Sequence, residues 1–408
     1  MTFKIIFLIC ALLGGAYSII LNVVQYRSAN NPTPENLSDV YDAETYEKWK
    51  AYSAEHCRLD IISSSISCVL TVALLAFNAY AAVANLFPHF MWQLFSVVIL
   101  EVVVSAILGT VIGYIKTMKI EQKYGFNRSS IKTFIFDIIR SLILNACLSF
   151  GLAYLIYGIH TLTGNFIIVL LAAALLAFSL FVSFLFPYLS RIGNKFTPLE
   201  DGELKEKLME LLTKHGYKVR AIEVMDASRR TTKLNAYITG FGKSKTIVLY
   251  DNLVNAMTTD EICAVFAHEL GHGIHKHVLK TQLLNVGYLL LLATTVWLVV
   301  SSPEIYAEFG FVGVNYGFAY ILTGVALGVL QPAINLVINA SSRKHEYQAD
   351  RQAVSEGYGE AMISAFKKLA KDNFAHLAPS RINVVLEYSH PPMSERVAAV
   401  EKEMAAKK

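Results

Sequence analysis

Seven stretches of roughly 20 residues in this 408-residue chain are apolar and almost free of formal charge, and each is long enough to cross about 30 Å of hydrocarbon as a helix. The first runs from Ile5 to Val24, and no small-residue cleavage site follows it, so it reads as a retained span and not as a signal peptide. No Asp, Glu, Lys or Arg lies between Asp60 and Glu101, which gives a second span and most of a third, turning at Phe87-Pro88-His89. Arg140 to Arg191 is equally clear of charge and gives spans four and five, with Tyr157 to Asn165 as the turn. Leu283–Val300 and Phe311–Ile338 supply the sixth and seventh. Hydrophobic residues make up 54% of the chain and charged ones only 17%, against about 25% charged in a soluble domain. A wholly soluble protein is excluded. The net charge of +4, from 36 basic and 32 acidic residues, is far from the basic excess of a nucleic-acid-binding surface, so no nucleic acid partner is expected. Five cysteines, an odd number with no C-x-x-C pair, argue against a disulfide framework or a cysteine zinc site.

Lysine and arginine collect in short cytoplasmic loops, and they are distributed very unevenly here. Lys116, Lys119, Lys123, Arg128, Lys132 and Arg140 share one loop, and Arg27, Lys48, Lys50 and Arg58 share another on the same side. The opposite side holds Lys4. This predicts an outside N-terminus, with residues 191–281 and the C-terminus in the cytoplasm. The sequons at Asn36 and Asn127 then face the cytoplasm and stay unglycosylated. Within 191–281, apolar residues at 204, 208, 211 and 212 mark a helix closed by Gly216. Ala221–Val224, Asn235–Thr239 and Thr246–Tyr250 read as short strands, the last two forming a hairpin about Gly240-Phe241-Gly242. A further helix begins at Thr259-Asp260-Glu261.

That helix carries His268-Glu269-Leu270-Gly271-His272. Histidines four apart lie one turn apart on one face, so both can reach a single zinc ion while Glu269 stands beside them as a base. Zinc hydrolases use three protein ligands and leave a fourth position open. Glu346 is the expected third ligand. Asp350, one helical turn beyond it, is placed to hold a ligand histidine in the right tautomer. Gln331, Asn335, Asn339, Ser342 and Glu346 form a polar stripe down the seventh span. Polar groups at membrane depth normally face protein or a wet cavity, so this helix is expected to line a wet cavity leading to the zinc, with Glu101 facing the same space and Asn78 and Asn145 either facing it or hydrogen-bonding between helices. For His275 and His277, a solvated role or one supporting the ligands is expected rather than a second metal.

Taken in order, these segments identify the chain as similar to the integral-membrane zinc CAAX prenyl endopeptidases, the type I CAAX proteases that also convert a-factor. The resemblance rests on Lys123-Tyr124-Gly125-Phe126-Asn127, Phe196 to Asp201, Asn235-Ala236-Tyr237, Gly240 to Lys245, the HELGH segment, Ser342-Arg343 through Asp350, and Ser389-His390-Pro391 with Arg396. It implies seven transmembrane helices around a water-filled chamber, closed by a gluzincin-type metalloprotease domain with a small β-sheet. Residues 1–190 would hold spans one to five and 191–281 the first part of the protease with its HELGH helix. Residues 282–340 would hold spans six and seven, and 341–408 the part carrying the third ligand. The resemblance also implies one Zn2+ per chain on His268, His272 and Glu346, with Glu269 as general base and His390 and Arg396 beside the scissile carbonyl. Asn339 and Arg343 are expected to support the site with Asp350. Asn235, Ala236 and Tyr237 would form the edge strand that holds a peptide backbone. Gly273, where the family usually has a bulky aromatic, and Thr232-Lys233-Leu234 depart from the pattern.

The expected activity is hydrolysis of peptide bonds near the C-terminus of CAAX-type, prenylated or peptide substrates by a monomeric, multi-pass protein of a bacterial inner membrane or the endoplasmic reticulum. A membrane quality-control zinc protease shares HELGH and the Glu-x-x-x-Asp pair but is usually shorter, with fewer spans. A non-enzymatic transporter or scaffold would have no use for Glu269 beside the ligands.

Overall fold

A computed structural model describes residues 2–240 and 245–407. The apolar stretches are helices because only a helix satisfies every backbone group internally in hydrocarbon. Helices α1 (Thr2–Ser28) and α2 (Ala43–Ala76) lie against each other along much of their length. Asn78, in the left-handed conformation at φ 54°, ends that run and leads into the short α3 (Ala79–Ala84). Helix α4 (Phe90–Tyr114) continues into a π-helical segment, Ile115–Glu121. Helices α5 (Ile131–Thr163) and α6 (Ile167–Leu189) are separated by one 3-10 turn, in which Gly164 takes φ 55°.

The polar region begins with strand β1 (Phe196–Pro198), then α7 (Glu203–Lys214), β2 (Ala221–Met225), β3 (Ala236–Thr239) and β4 (Thr246–Tyr250). The sheet order is β1-β2-β4-β3, with β2 and β4 parallel and the outer pairs antiparallel. The expected hairpin of β3 and β4 is present, while Phe241 to Ser244 of its turn lie outside the described residues. Strand β1 was not expected from the sequence. It is three residues long and ends in Pro198, which the sheet tolerates because β1 is an edge.

Helices α8 (Asp251–Ala256) and α9 (Thr259–Ile274) follow, then α10 (His277–Val300), α11 (Pro303–Glu308) and the 40-residue α12 (Tyr316–Ser355). Helices α13 (Gly359–Asp372), α14 (Arg381–Glu387) and α15 (Met393–Lys407) complete the chain. By length and composition, six helical stretches among the described residues can cross a membrane. The expectation of seven differs because Ile131–Leu189 counts as one stretch of 59 residues, although Gly164 breaks it and α5 packs on α6.

There are two large cores. One joins Leu94, Val97, Ile156, Leu171, Val296 and Phe318 inside the helical bundle. The other joins Leu208, Leu212, Ile247, Leu249, Phe266 and Phe366 beneath the sheet. Helix α12 contributes Leu322 to the first and Ala353 and Val354 to the second. At about 1.5 Å per residue a helix of this length reaches about 60 Å, enough to tie the membrane-facing bundle to the polar domain.

Two cavities of about 650 and 590 Å³ sit inside the bundle and share Glu101 and Tyr320 on their walls. Asn145 lines the second, as expected for a polar group facing a wet space. Asn78 does not line either; its amide oxygen accepts from the Lys4 ammonium at 2.7 Å.

Helix α9 is fixed at its start by a capping box: the Thr258 hydroxyl accepts from the Glu261 N–H, and the Glu261 carboxylate accepts from the Thr258 N–H at 2.7 Å. Glu261 is buried and also accepts from Lys368 at 2.6 Å and Ser364 at 2.6 Å. Thr258→Ala should cost about 1 kcal/mol, read as a lower melting temperature of the purified protein; an unchanged melt would show that the box contributes nothing.

Candidate metal centre

Helices α9 and α12 approach closely because Gly271 lies at their crossing. A Cβ at residue 271 would stand 2.9 Å from the Gln352 Cβ and 3.0 Å from the Ala349 Cα. That proximity brings the buried face of α9, which carries His268, next to Glu346. His268 Nε2 and His272 Nε2 are 3.1 Å apart. Glu346 Oε1 lies 3.3 Å from His272 Nε2, and Glu346 Oε2 lies 3.6 Å from His268 Nε2.

The donor set fits a divalent metal on the evidence of its own hydrogen bonding. Two imidazole nitrogens facing each other can share at most one proton, and Glu346 Oε2 is buried without a hydrogen bond. The Arg396 guanidinium, 3.3 Å away, meets that oxygen as a charge but makes no hydrogen bond to it, which leaves a lone pair free for a metal. His268, His272 and Glu346 all offer ligand atoms within 4.8 Å of one another, the only such trio among the described residues. Two nitrogens and one carboxylate with an open side match the ligand preference of catalytic zinc.

The partners of each ligand differ. His268 Nδ1 bonds Asp350 Oδ1 at 2.8 Å, and Asp350 is 1% exposed. Arg396 donates to both Asp350 oxygens, Nε to Oδ2 at 2.9 Å and Nη2 to Oδ1 at 2.6 Å, and lies 3.3 Å from Glu346 Oε2. Its guanidinium rests on the Phe366 ring at 4.3 Å. Arg396 is therefore buried with Nε and Nη2 held by carboxylates; the sequence reading has it beside the scissile carbonyl. His272 Nδ1 faces His277 Nδ1 at 2.9 Å, and His277 Nε2 faces Gln348 Oε1 at 2.8 Å. His277 is 3% exposed, so it is not solvated; Gln348 went unnoticed in the sequence because it is an ordinary polar residue one turn before Gln352.

His390 follows α14 on an exposed turn, with Nε2 3.5 Å from Glu346 Oε1 and Nδ1 2.9 Å from the Ser389 hydroxyl. The last carbonyls of a helix need outside donors, and the polar stripe of α12 provides them. Arg343 Nη1 donates to the Val384 and Tyr388 carbonyls at 2.7 and 2.8 Å, and Asn339 donates to Leu386 at 2.8 Å. Gln331 donates to Asn335, which donates to Glu387 at 3.1 Å, where the Tyr17 hydroxyl also bonds. The stripe was expected to line a cavity: Ser342 and Glu346 do line the one at the centre, while Gln331, Asn335 and Asn339 hold the His390 turn, and the bundle cavity is lined from α12 by Tyr320, Thr323, Gly324 and Gly328.

A cavity of about 420 Å³ opens at the centre and is lined by Glu269, His272, Glu346, Ser389 and His390. Burial pushes the Glu269 carboxyl above the usual carboxylate range. Ile238 and Gly240 also line this cavity, at the end of β3, the edge strand whose far side is unpaired. Asn235 accepts the Ala236 N–H on its own side chain at 2.9 Å, and Tyr237 points to the opposite face, against Tyr250 and Phe186. Sequence reasoning named Asn235, Ala236 and Tyr237 but missed Ile238, whose role only the alternation of a strand at this register reveals. The departure at Gly273 has a counterpart in space: a Cβ there would collide with the phenol of Tyr217, so a neighbouring aromatic fills the position. Lys233, in the second departure, lies 3.3 Å from Glu121 and ties the strand's approach to the π-helical segment.

Together, an apolar helical bundle and a metal-competent H-E-x-x-H centre define a membrane metallopeptidase. Residues 198–404 match the model of peptidase family M48, and residues 22–191 match that of the CAAX prenyl protease N-terminal region, with five membrane helices. The chain belongs to peptidase family M48. It is 30% identical over 399 residues to the CAAX prenyl protease 1 homolog of Oryza sativa subsp. japonica, covering 93% of each chain. It is 27% identical to CAAX prenyl protease 1 of Saccharomyces cerevisiae, covering 90% of this chain and 88% of that one. The crystal structure of S. mikatae Ste24p superposes with a TM-score of 0.91 at 26% identity, covering 98% and 99% of the two chains.

Removing the group that orients His268 should weaken the metal site. Asp350→Ala is expected to lower zinc affinity about 10- to 100-fold in a chelator competition; wild-type affinity would show that Asp350 does not support the ligand.

Proposed function

We propose that this protein is a zinc-dependent endopeptidase that cleaves near the C-terminus of CAAX-type substrates, prenylated or not. The observation that carries this reading is the opening of the three-ligand centre, with Glu269, into a cavity bounded by a free strand edge. An extended peptide can add to such an edge through main-chain hydrogen bonds, with Asn235, Ala236 and Tyr237 on the receiving strand and Ile238 facing the cavity. The names of the relatives favour C-terminal processing over the quality-control alternative, since the likeness extends through the membrane helices as well as the protease part.

Zinc bound by His268, His272 and Glu346 would lower the pKa of a coordinated water from about 15.7 toward 7. Glu269, in the same cavity, takes the proton from the attacking water and returns it to the leaving amine. His390 presents Nε2 to the cavity once the Ser389 hydroxyl donates to Nδ1, and so can donate to the developing oxyanion. Arg396 acts through Asp350 and Glu346 as a positioning residue, its Nε and Nη2 being committed to those carboxylates.

For the chain as a whole we favour seven spans, with α5 and α6 as two crossings that reverse at Gly164, and a monomer enclosing a wet chamber around Glu101. The orientation with the protease part in the cytoplasm rests on the basic loops. In support, the Arg128 N–H donates to the Arg230 carbonyl at 3.0 Å, so one basic loop adjoins the polar domain, and Lys123 pairs with Glu55 of the other basic loop at 2.5 Å, while the Lys4 backbone N–H donates to Glu308 at 2.8 Å.

With a farnesylated C-a-a-X peptide and its unprenylated twin as substrates, Glu269→Ala should keep zinc and lose cleavage of both. Retained activity would remove Glu269 from the mechanism. His390→Ala should lower turnover by about 100-fold or more with zinc content unchanged, and a normal rate would return His390 to an ordinary turn residue.

A further inference from the structure

We infer that His277 and Gln348 form a positioning relay that fixes the tautomer and plane of the His272 ligand, an inference that rests on the zinc reading above. His272 Nε2 points at the other ligand atoms, 3.1 Å from His268 Nε2 and 3.3 Å from Glu346 Oε1. To bind a metal that nitrogen must offer a lone pair, so the proton of the neutral ring sits on Nδ1. His272 Nδ1–H then donates to His277 Nδ1, 2.9 Å away. His277 must accept there, so its own proton lies on Nε2 and donates to Gln348 Oε1 at 2.8 Å. Every group in this chain has one role, and an amide oxygen is a correct terminus for it.

The surroundings hold His277 in that plane. It is 3% exposed and stacks on His345 at 4.2 Å with an interplanar angle of 13°. His275 also lies nearly parallel to it, at 5.6 Å and 21°. Lys276, left-handed at φ 53°, turns the chain between α9 and α10 and brings His277 back over His272. Gln348 comes from α12, two residues after the ligand Glu346, so the relay ties the second histidine to the helix that carries the third ligand. Metal-bound histidines usually donate to a carboxylate, a carbonyl or water. Here His268 has a carboxylate, Asp350, whereas His272 has a neutral imidazole. The two ligands therefore differ in how strongly their basicity is raised.

Three variants of the full-length, detergent-solubilised protein separate hydrogen bonding from packing. His277→Phe keeps a ring beside His275 and His345 but removes the acceptor; His277→Asn places an amide oxygen near the former Nδ1; Gln348→Leu removes the terminal acceptor. Zinc affinity is read by chelator competition and ligand geometry by the visible spectrum of the cobalt-substituted protein. His277→Phe should weaken zinc about 10- to 100-fold and shift the cobalt bands, His277→Asn should recover most of both, and Gln348→Leu should fall between. Wild-type affinity and spectrum in His277→Phe would overturn the relay while leaving the zinc centre intact, as would equal losses in His277→Phe and His277→Asn, which indicate packing alone. A wild-type protein that binds neither metal would overturn the zinc reading itself, and the relay with it.

Discussion

The close crossing of α9 and α12 is the constraint on which the site depends. Residues 271 and 349 are glycine and alanine at the contact, and the gap left by the missing Cβ is what lets His268 and His272 meet Glu346. The crossing also explains why the charged groups beneath the ligands are paired so completely. An unpaired charge at that depth would cost several kcal/mol, and Asp350, 1% exposed, meets Arg396 through two hydrogen bonds while also receiving His268. Arg396 in turn reaches Glu346 and lies over Phe366, so α15 is joined to the site by the same pair.

Helix α12 gives this local arrangement its larger setting. One continuous helix passes Tyr320, Thr323 and Gly328 along a cavity in the bundle and later presents Glu346, Gln348 and Asp350 to the metal centre. Between these two regions its polar side chains face α14, where Asn339 and Arg343 satisfy carbonyls that a short helix cannot satisfy internally. The His390 turn is consequently anchored to the same helix as the third ligand. The sheet contributes a free edge on the other side of the cavity, with β3 outermost and Ile238 turned inward.

Much of this was legible in the sequence where the signal is local. The charge-free runs marked the long helices, the four-residue spacing put His268 and His272 on one face, and the same spacing paired Glu346 with Asp350. The start of α9 was placed at Thr259-Asp260-Glu261, and the structure begins the helix at Thr259. What escaped depends on which neighbour covers a face, which spacing does not encode. The polar stripe of α12 was read as lining a cavity throughout, which holds for Ser342 and Glu346 but not for Gln331, Asn335 and Asn339, because the period is the same whether a cavity or α14 lies opposite. For His277 the sequence left a solvated role and one supporting the ligands open, because nothing in it announces the left-handed Lys276 that returns this residue to His272. Arg396 was placed by family resemblance alone, and nothing in the sequence hinted that Asp350 and Glu346 hold its Nε and Nη2. Strand β1 was too short and too close to a proline to show an alternation.

The most direct measurement of the central claim is the metal content of the purified protein by elemental analysis, alongside Glu346→Ala. One zinc per chain, lost or strongly reduced in the variant, is the result this structure predicts. No zinc in the wild type, or full zinc content after Glu346→Ala, would contradict a centre built from His268, His272 and Glu346.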